Sequence, residues 1–197
     1  MLRLEAFNPI AALPTPVTVG DFLIAEPFLD DPNFGHTVIL VCEQTPDGTL
    51  GLILNRPTDT RIDELMLEGF PTFNSTLFLG GPVATDSLFF LHNLGDLVAD
   101  STPVARGVWW GGNFEEVRFL IQNELIKPYN IRFFLGYAGW ESGQLDDEIA
   151  EGTWLVEPSD PNFVFRHNTR QLWAEVLRNK GNHYTVLGTM TRSPVWN

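Results

Sequence analysis

The sequence predicts an α+β protein: one compact domain built on a mixed, largely antiparallel β-sheet with helices packed against it. Three observations carry this. Strand-like runs outnumber helical ones, a β-hairpin precedes the first helix, and the order of elements is not the regular strand–helix alternation of a doubly wound parallel sheet. The chain has 197 residues, of which 44% are hydrophobic, with 15 Phe and 6 Trp. A chain of that length buries roughly 70% of its unfolded surface, so its core needs no disulfide staple.

Taken in order, residues 1–19 contain Pro9, Pro14 and Pro16 and read as an extended lead-in. The domain runs over 20–180. Asp21–Ala25 is a short buried strand stopped by Pro27. Thr37–Glu43 and Leu50–Leu54 flank the turn Thr45-Pro-Asp-Gly48 and form the hairpin. Both strands are apolar at successive positions, so the sheet is expected to be covered on both faces. A helix is expected after Pro57, with Thr60 as its N-cap and Ile62, Leu65 and Met66 on its inner face. Strands follow at Thr76–Leu79, Leu88–His92 and Val104–Trp110. Asn113 caps a second helix, with Glu116 at the capping-box position and Phe114, Val117, Leu120 and Ile121 on the apolar face. Ile131–Leu135 is a strand running into Gly136-Tyr-Ala-Gly-Trp140. Gln144–Glu151 is a short acidic helix, Thr153–Val156 a strand, and a last helix from near Thr169 buries Leu172, Trp173, Val176 and Leu177. The tail, 181–197, has no firm pattern.

Composition excludes some function classes. The net charge of −13 argues against direct nucleic-acid binding, which draws its affinity from Lys and Arg on phosphates. The charge is uneven. From Pro161 onward Arg166, Arg170, Arg178, Lys180 and Arg192 face only Glu175, which reads as a solvated helix face with a tail, or as a docking patch for an acidic partner or the acidic body of a second copy. Glu5, Asn8 and Pro9 interrupt any signal-peptide core, and apolar runs such as Val38–Cys42 fall far short of a membrane span. A single cysteine, Cys42, makes no intrachain disulfide. A cytoplasmic protein without membrane contact is expected.

The common catalytic signatures do not stand out. The nearest approach to a nucleophile elbow, Gly139-Trp-Glu-Ser-Gly143, has its serine one place late, and Ser142 reads as the start of a helix. Cys42 sits in an apolar strand and reads as buried and structural, with a reactive thiol as the alternative because His36 stands just before that strand. His36, His92, His167 and His183 are scattered without metal-ligand spacing, and neither Asp30-Asp31 nor Asp146–Glu148 matches a calcium loop. Asp146–Glu148 reads as a solvated helix face. Phosphate-loop and dinucleotide-binding glycine patterns are absent. No metal and no cofactor are expected. Arg132, inside a strand, reads as an ion-pair partner.

Four segments stand in an order that resembles the AlgH/YqgE family of bacterial proteins. They are Phe22–Ala25 with Pro27, Gly51-Leu-Ile-Leu-Asn-Arg-Pro57, Gly80-Gly-Pro-Val83, and Gly136-Tyr-Ala-Gly-Trp140 followed by Gly143-Gln-Leu145. The resemblance spans about residues 20–177. It implies a compact α/β fold and a bacterial cytosolic protein. It brings no catalytic residues with it, and the family's label as a transcriptional regulator derives from a genetic association with exopolysaccharide (alginate) synthesis.

Glycine-flanked strand ends remain as the candidate site: Asn55, Arg56, Gly80, Gly81, Gly139 and Trp140, with Gly111-Gly112 as a further pair. Glycines let backbone amides approach a ligand, Arg56 adds fixed positive charge, and strand ends gather ligands in open sheets. The alternative is that these glycines serve turns and tryptophan packing. Two functional expectations follow. One is a non-enzymatic regulatory or interaction protein with a protein partner or a second copy of itself. The other is a small-molecule binder, or an unrecognised enzyme, using these strand ends.

Overall fold

In the computed structural model, residues 16–66, 73–166 and 169–179 are described. They form β1 (Asp21–Ala25), β2 (Val38–Thr45), β3 (Gly48–Ile53), β4 (Pro57–Arg61), α1 (Ile62–Leu65), β5 (Thr76–Leu79) and β6 (Val83–His92). The chain continues through β7 (Thr102–Ala105), β8 (Val108–Trp110), α2 (Phe114–Gln122), β9 (Ile131–Glu141), α3 (Gln144–Ala150), β10 (Trp154–Pro158), α4 (Pro161–Val164) and α5 (Leu172–Asn179). The strands pair in the order β10-β1-β2-β3-β9-β6-β8-β7. The described pairings are antiparallel except β5, which runs parallel to β9 and carries β4 on its outer side. The fold is therefore α+β with a mixed, mostly antiparallel sheet.

The apolar runs of β1 to β3 are buried on both faces. Phe22, Ile24, Val38, Leu40, Cys42 and Leu52 pack with α5 through Leu172, Trp173, Val176 and Leu177. Leu23, Ile39, Val41 and Ile53 face the other way, against Trp140, Leu145 and Trp154. A third cluster lies under α2, where Val117 and Ile121 meet Phe90, Ile131 and Phe133. The sheet curls, bringing Val104 and Val108 into the same cluster as Phe22 and Cys42. Gly20 lies so close to β7 that a Cβ there would sit 2.2 Å from the Val104 carbonyl oxygen.

Several expectations require correction. Val104–Trp110 is not one strand but the hairpin β7–β8, reversed at Gly107, whose φ of +73° suits glycine. Thr60 caps no helix: Pro57–Arg61 pairs with β5, the Thr58 hydroxyl donates to the Leu77 carbonyl at 2.8 Å, and α1 is a single turn starting after Arg61. Asn113 caps α2 as expected, accepting the N–H groups of Glu115 and Glu116. Glu116 does not close a capping box; its carboxylate instead accepts the Ala99 N–H at 2.6 Å. Gly136–Trp140 does not follow a strand but forms the second half of β9. The tail 181–197 and most of the lead-in lie outside the described residues.

One flank of β9 is divided. Ala138–Glu141 pairs with β3, and Phe133–Leu135 pairs with β5. Gly80 sits where the two partners meet. Its N–H donates to the Leu135 carbonyl at 2.8 Å, and its carbonyl accepts the Ile53 N–H at 2.9 Å. A Cβ here would lie 2.2 Å from the Gly136 carbonyl oxygen and 2.9 Å from Leu52. Gly80→Ala is expected to destabilise by about 1–3 kcal/mol through forced backbone displacement. At Gly107 an added Cβ meets nothing within 4 Å, so only backbone strain remains. Gly107→Ala should cost about 1 kcal/mol. Urea unfolding of the two variants checks the order, and an equal or larger loss at Gly107 would contradict the crowding argument.

Candidate functional site

The six candidate residues are spread along β3 and not gathered at one point: Gly139 and Trp140 lie beside Leu50 and Thr49 near its start, Asn55 and Arg56 follow its end, and Gly80 lies between Ile53 and Leu135. Asn55 follows β3 and continues its ladder with a side chain: Oδ1 accepts the Val38 N–H and Nδ2 donates to the His36 carbonyl, both at 2.9 Å. The Arg56 guanidinium donates to the carbonyls of Pro32 at 3.0 Å and Gly35 at 3.4 Å, while its own carbonyl accepts the Leu79 N–H. Trp140 stacks on Phe34 with centroids 6.3 Å apart. Asn55, Arg56 and Trp140 thus hold one segment, residues 31–37, against the sheet. Gly80, Gly81 and Gly139 instead permit close packing. A Cβ at Gly81 would overlap the Tyr137–Ala138 peptide, and one at Gly139 would reach the Tyr137 ring at 2.9 Å.

The acidic helix α3 contributes more than a solvated face. Glu148 accepts the indole N–H groups of Trp140 at 2.8 Å and Trp154 at 2.7 Å on one oxygen, and the Gln144 amide on the other. One carboxylate thereby orients the aromatic group formed by Phe34, Trp140 and Trp154.

Arg132 overturns the expected ion pair. It is 5% exposed and has no carboxylate partner among the described residues. Its guanidinium donates to the carbonyls of Leu54 and Arg166 and lies 4.5 Å from the Phe78 ring centroid. Burial pulls its pKa down to about 9. A cation flanked by Ile131 and Phe133 was the available sequence signal, but its partners are main-chain oxygens that no residue pattern announces.

The remaining reactive groups are similarly placed. Cys42 is 2% exposed, and burial raises its pKa far above the ordinary thiol value. A thiolate nucleophile is therefore disfavoured there. His92 is fully buried. Its Nδ1 accepts the Leu94 N–H, which leaves the proton on Nε2 to be donated to the Gly111 carbonyl at 3.1 Å. Burial lowers its pKa. His36 has a left-handed φ of +58° and meets the Trp173 ring edge-on at 4.3 Å. Its Nε2 is buried without a hydrogen-bond partner among the described residues. Burial, followed by the charge of Arg56, lowers its pKa. Among the described residues no group of three or more His, Cys, Asp or Glu is placed to hold a metal ion, and no helix is long and apolar enough to cross a membrane.

Two cavities open elsewhere. A cleft of about 640 Å³ lies between α4 and α5, lined by Asn162, Phe163, Arg166, Glu175, Arg178 and Asn179. An apolar groove of about 450 Å³ is lined by residues including Leu88, Phe89, Trp110, Gly111 and Phe114. None of the six candidate residues lines either one.

This arrangement of strands defines a fold already seen in bacterial proteins. The crystal structure of a protein from Corynebacterium diphtheriae matches it with a TM-score of 0.75 at 25% identity, covering 91% of this chain and 96% of the other. The solution structure of the AlgH protein from Pseudomonas aeruginosa matches with a TM-score of 0.68 at 30% identity, covering 93% and 100%. The chain belongs to the AlgH-like family, whose model matches residues 22–185. A UPF0301 protein of Chlorobium luteolum is 39% identical over 178 residues, 90% of this chain and 94% of its own. One from Bacteroides thetaiotaomicron is 37% identical over 179 residues, 90% of each chain.

The histidines give the fold a pH dependence of definite sign. Both shifts run downward from the ordinary value of 6.5. Below that value the unfolded chain binds more protons than the folded one, so this stability is complete above about pH 6.5 and is lost as pH falls. His36→Asn tolerates the left-handed backbone and takes up no proton in this range. Its melting temperature should fall less between about pH 7 and pH 5 than that of the wild type. Parallel curves for the two proteins would remove His36 from the account.

Proposed function

We propose that the chain is a non-enzymatic interaction protein of the bacterial cytoplasm, acting in regulation through contact with a protein partner. One observation carries this reading. The side chains that would perform chemistry are already bound to the protein's own main chain: Asn55, Arg56, Arg132 and His92 hold backbone groups, and Cys42 is sealed in the core. Such groups position segments and are not free to meet a substrate. The net charge of −13 favours an indirect regulatory role over contact with DNA.

The apolar groove favours a second reading, a small-molecule binder. Its volume of about 450 Å³ falls in the range of ligand sites, Trp110 and Phe89 stack with centroids 5.6 Å apart beside it, and a Cβ on Gly111 would meet nothing within 4 Å. One thermal-shift screen against nucleotides and metabolites separates the two, using the wild type and a Leu88→Trp variant that fills the groove. The first reading predicts no stabilising compound. A compound that stabilises only the wild type replaces it with the second, and a compound that is chemically consumed by the purified protein overturns both.

A further inference from the structure

We infer that the cleft between α4 and α5 is a docking site for an acidic peptide segment of a partner protein; this rests on the reading of the chain as an interaction protein and names the partner's chemistry. The charge of the region is the first argument. Among the described residues beyond 160, Glu175 is the single acid beside Arg166, Arg170 and Arg178, in a chain of net charge −13. Arg166, Arg170 and Arg178 are exposed. The nearby Asp160 is turned toward the start of α4, where it accepts both the backbone and side-chain N–H groups of Asn162.

The cations are also held in place. The Arg166 carbonyl accepts from the buried Arg132, so its backbone is tied to the core. Its guanidinium lies 5.5 Å from the Phe163 ring centroid and pairs with Glu175 while 43% of the side chain stays exposed. A planar guanidinium over a ring presents its edge to a carboxylate in a fixed fork. Arg178 lies one turn beyond Glu175 on α5, its Nε donates to the Ala174 carbonyl at 3.1 Å, and it forms no ion pair among the described residues. The cleft thus contains one carboxylate and two arginines.

Glu175 then acts as a resident competitor. Half-exposed ion pairs are weak, so an incoming Asp or Glu exchanges with it on Arg166 at small cost, while Arg178 receives a second carboxylate. The occupant fits a short segment better than a polynucleotide. A phosphate backbone would run on past two arginines along a chain of net charge −13, whereas a few carboxylates can be met by those two arginines.

The test is fluorescence anisotropy with a labelled Gly/Ser dodecapeptide carrying four Glu, its Gln counterpart, and a dodecamer of deoxythymidine. Saturable, salt-sensitive binding of the Glu peptide alone is expected. Arg166→Gln and Arg178→Gln should each weaken it about three- to tenfold, within the range of one typical net hydrogen bond. Glu175→Gln should tighten it, because it removes the resident carboxylate that competes for Arg166. Unchanged melting temperatures establish that each variant is folded. Equal binding of the Gln peptide, preference for the oligonucleotide, no binding at all, or weaker binding by Glu175→Gln would each overturn the inference. The thermal-shift screen is unaffected by any of these outcomes, so the two readings fail separately.

Discussion

The structure depends on the divided flank of β9. A single strand of 11 residues is paired on one side with β6 and on the other with two strands in succession, β3 antiparallel and β5 parallel. Two strands can share one edge only if the chain passes between them without a side chain in the way. Gly80 provides that passage, hydrogen-bonded to Leu135 on one side and Ile53 on the other. On the β3 side of this junction the sheet continues through β2, β1 and β10, and one face of β1 to β3 packs against α5. Burial can add stability to that arrangement, but the junction decides which strands it joins.

Polar side chains then complete what the ladders leave open. Asn55 extends the β3 edge with an amide where the backbone turns away, and Arg56 and Trp140 hold the segment leading into β2. Arg132 joins the end of β3 to the end of α4 across the core. An uncompensated buried cation costs several kcal/mol, so its carbonyl partners and the Phe78 ring have to remain in place for it to stay ionised. Residues that look like the components of a site therefore work as internal ties. At α4 and α5, by contrast, Arg166 and Arg178 stay exposed.

The sequence made much of this legible, for identifiable reasons. Unbroken apolar runs in Val38–Cys42 and Leu50–Leu54 announced both the hairpin and its two buried faces. The glycines at 80 and 81 were visible as special positions, but glycine reports only a need for space, and the neighbour filling it here is β9. Strand β4 was hidden because Thr-Asp-Thr-Arg is polar and gains its pairing from β5, a non-local partner. The roles of Glu148 and Arg132 are hidden in the sequence for a related reason. Their charges suggested solvent or an ion pair, while the fold supplied two indoles to one and main-chain carbonyls to the other.

The junction at Gly80 is tested most directly by native-state hydrogen exchange across a series of low denaturant concentrations. If the division of β9 holds the fold together, the amides of Gly80 and Ile53 exchange only through global unfolding. Their opening free energy should then equal that of the whole protein and fall with the same denaturant dependence. Exchange of these two amides by a local, denaturant-independent opening, while β1 and β2 stay protected, would contradict it.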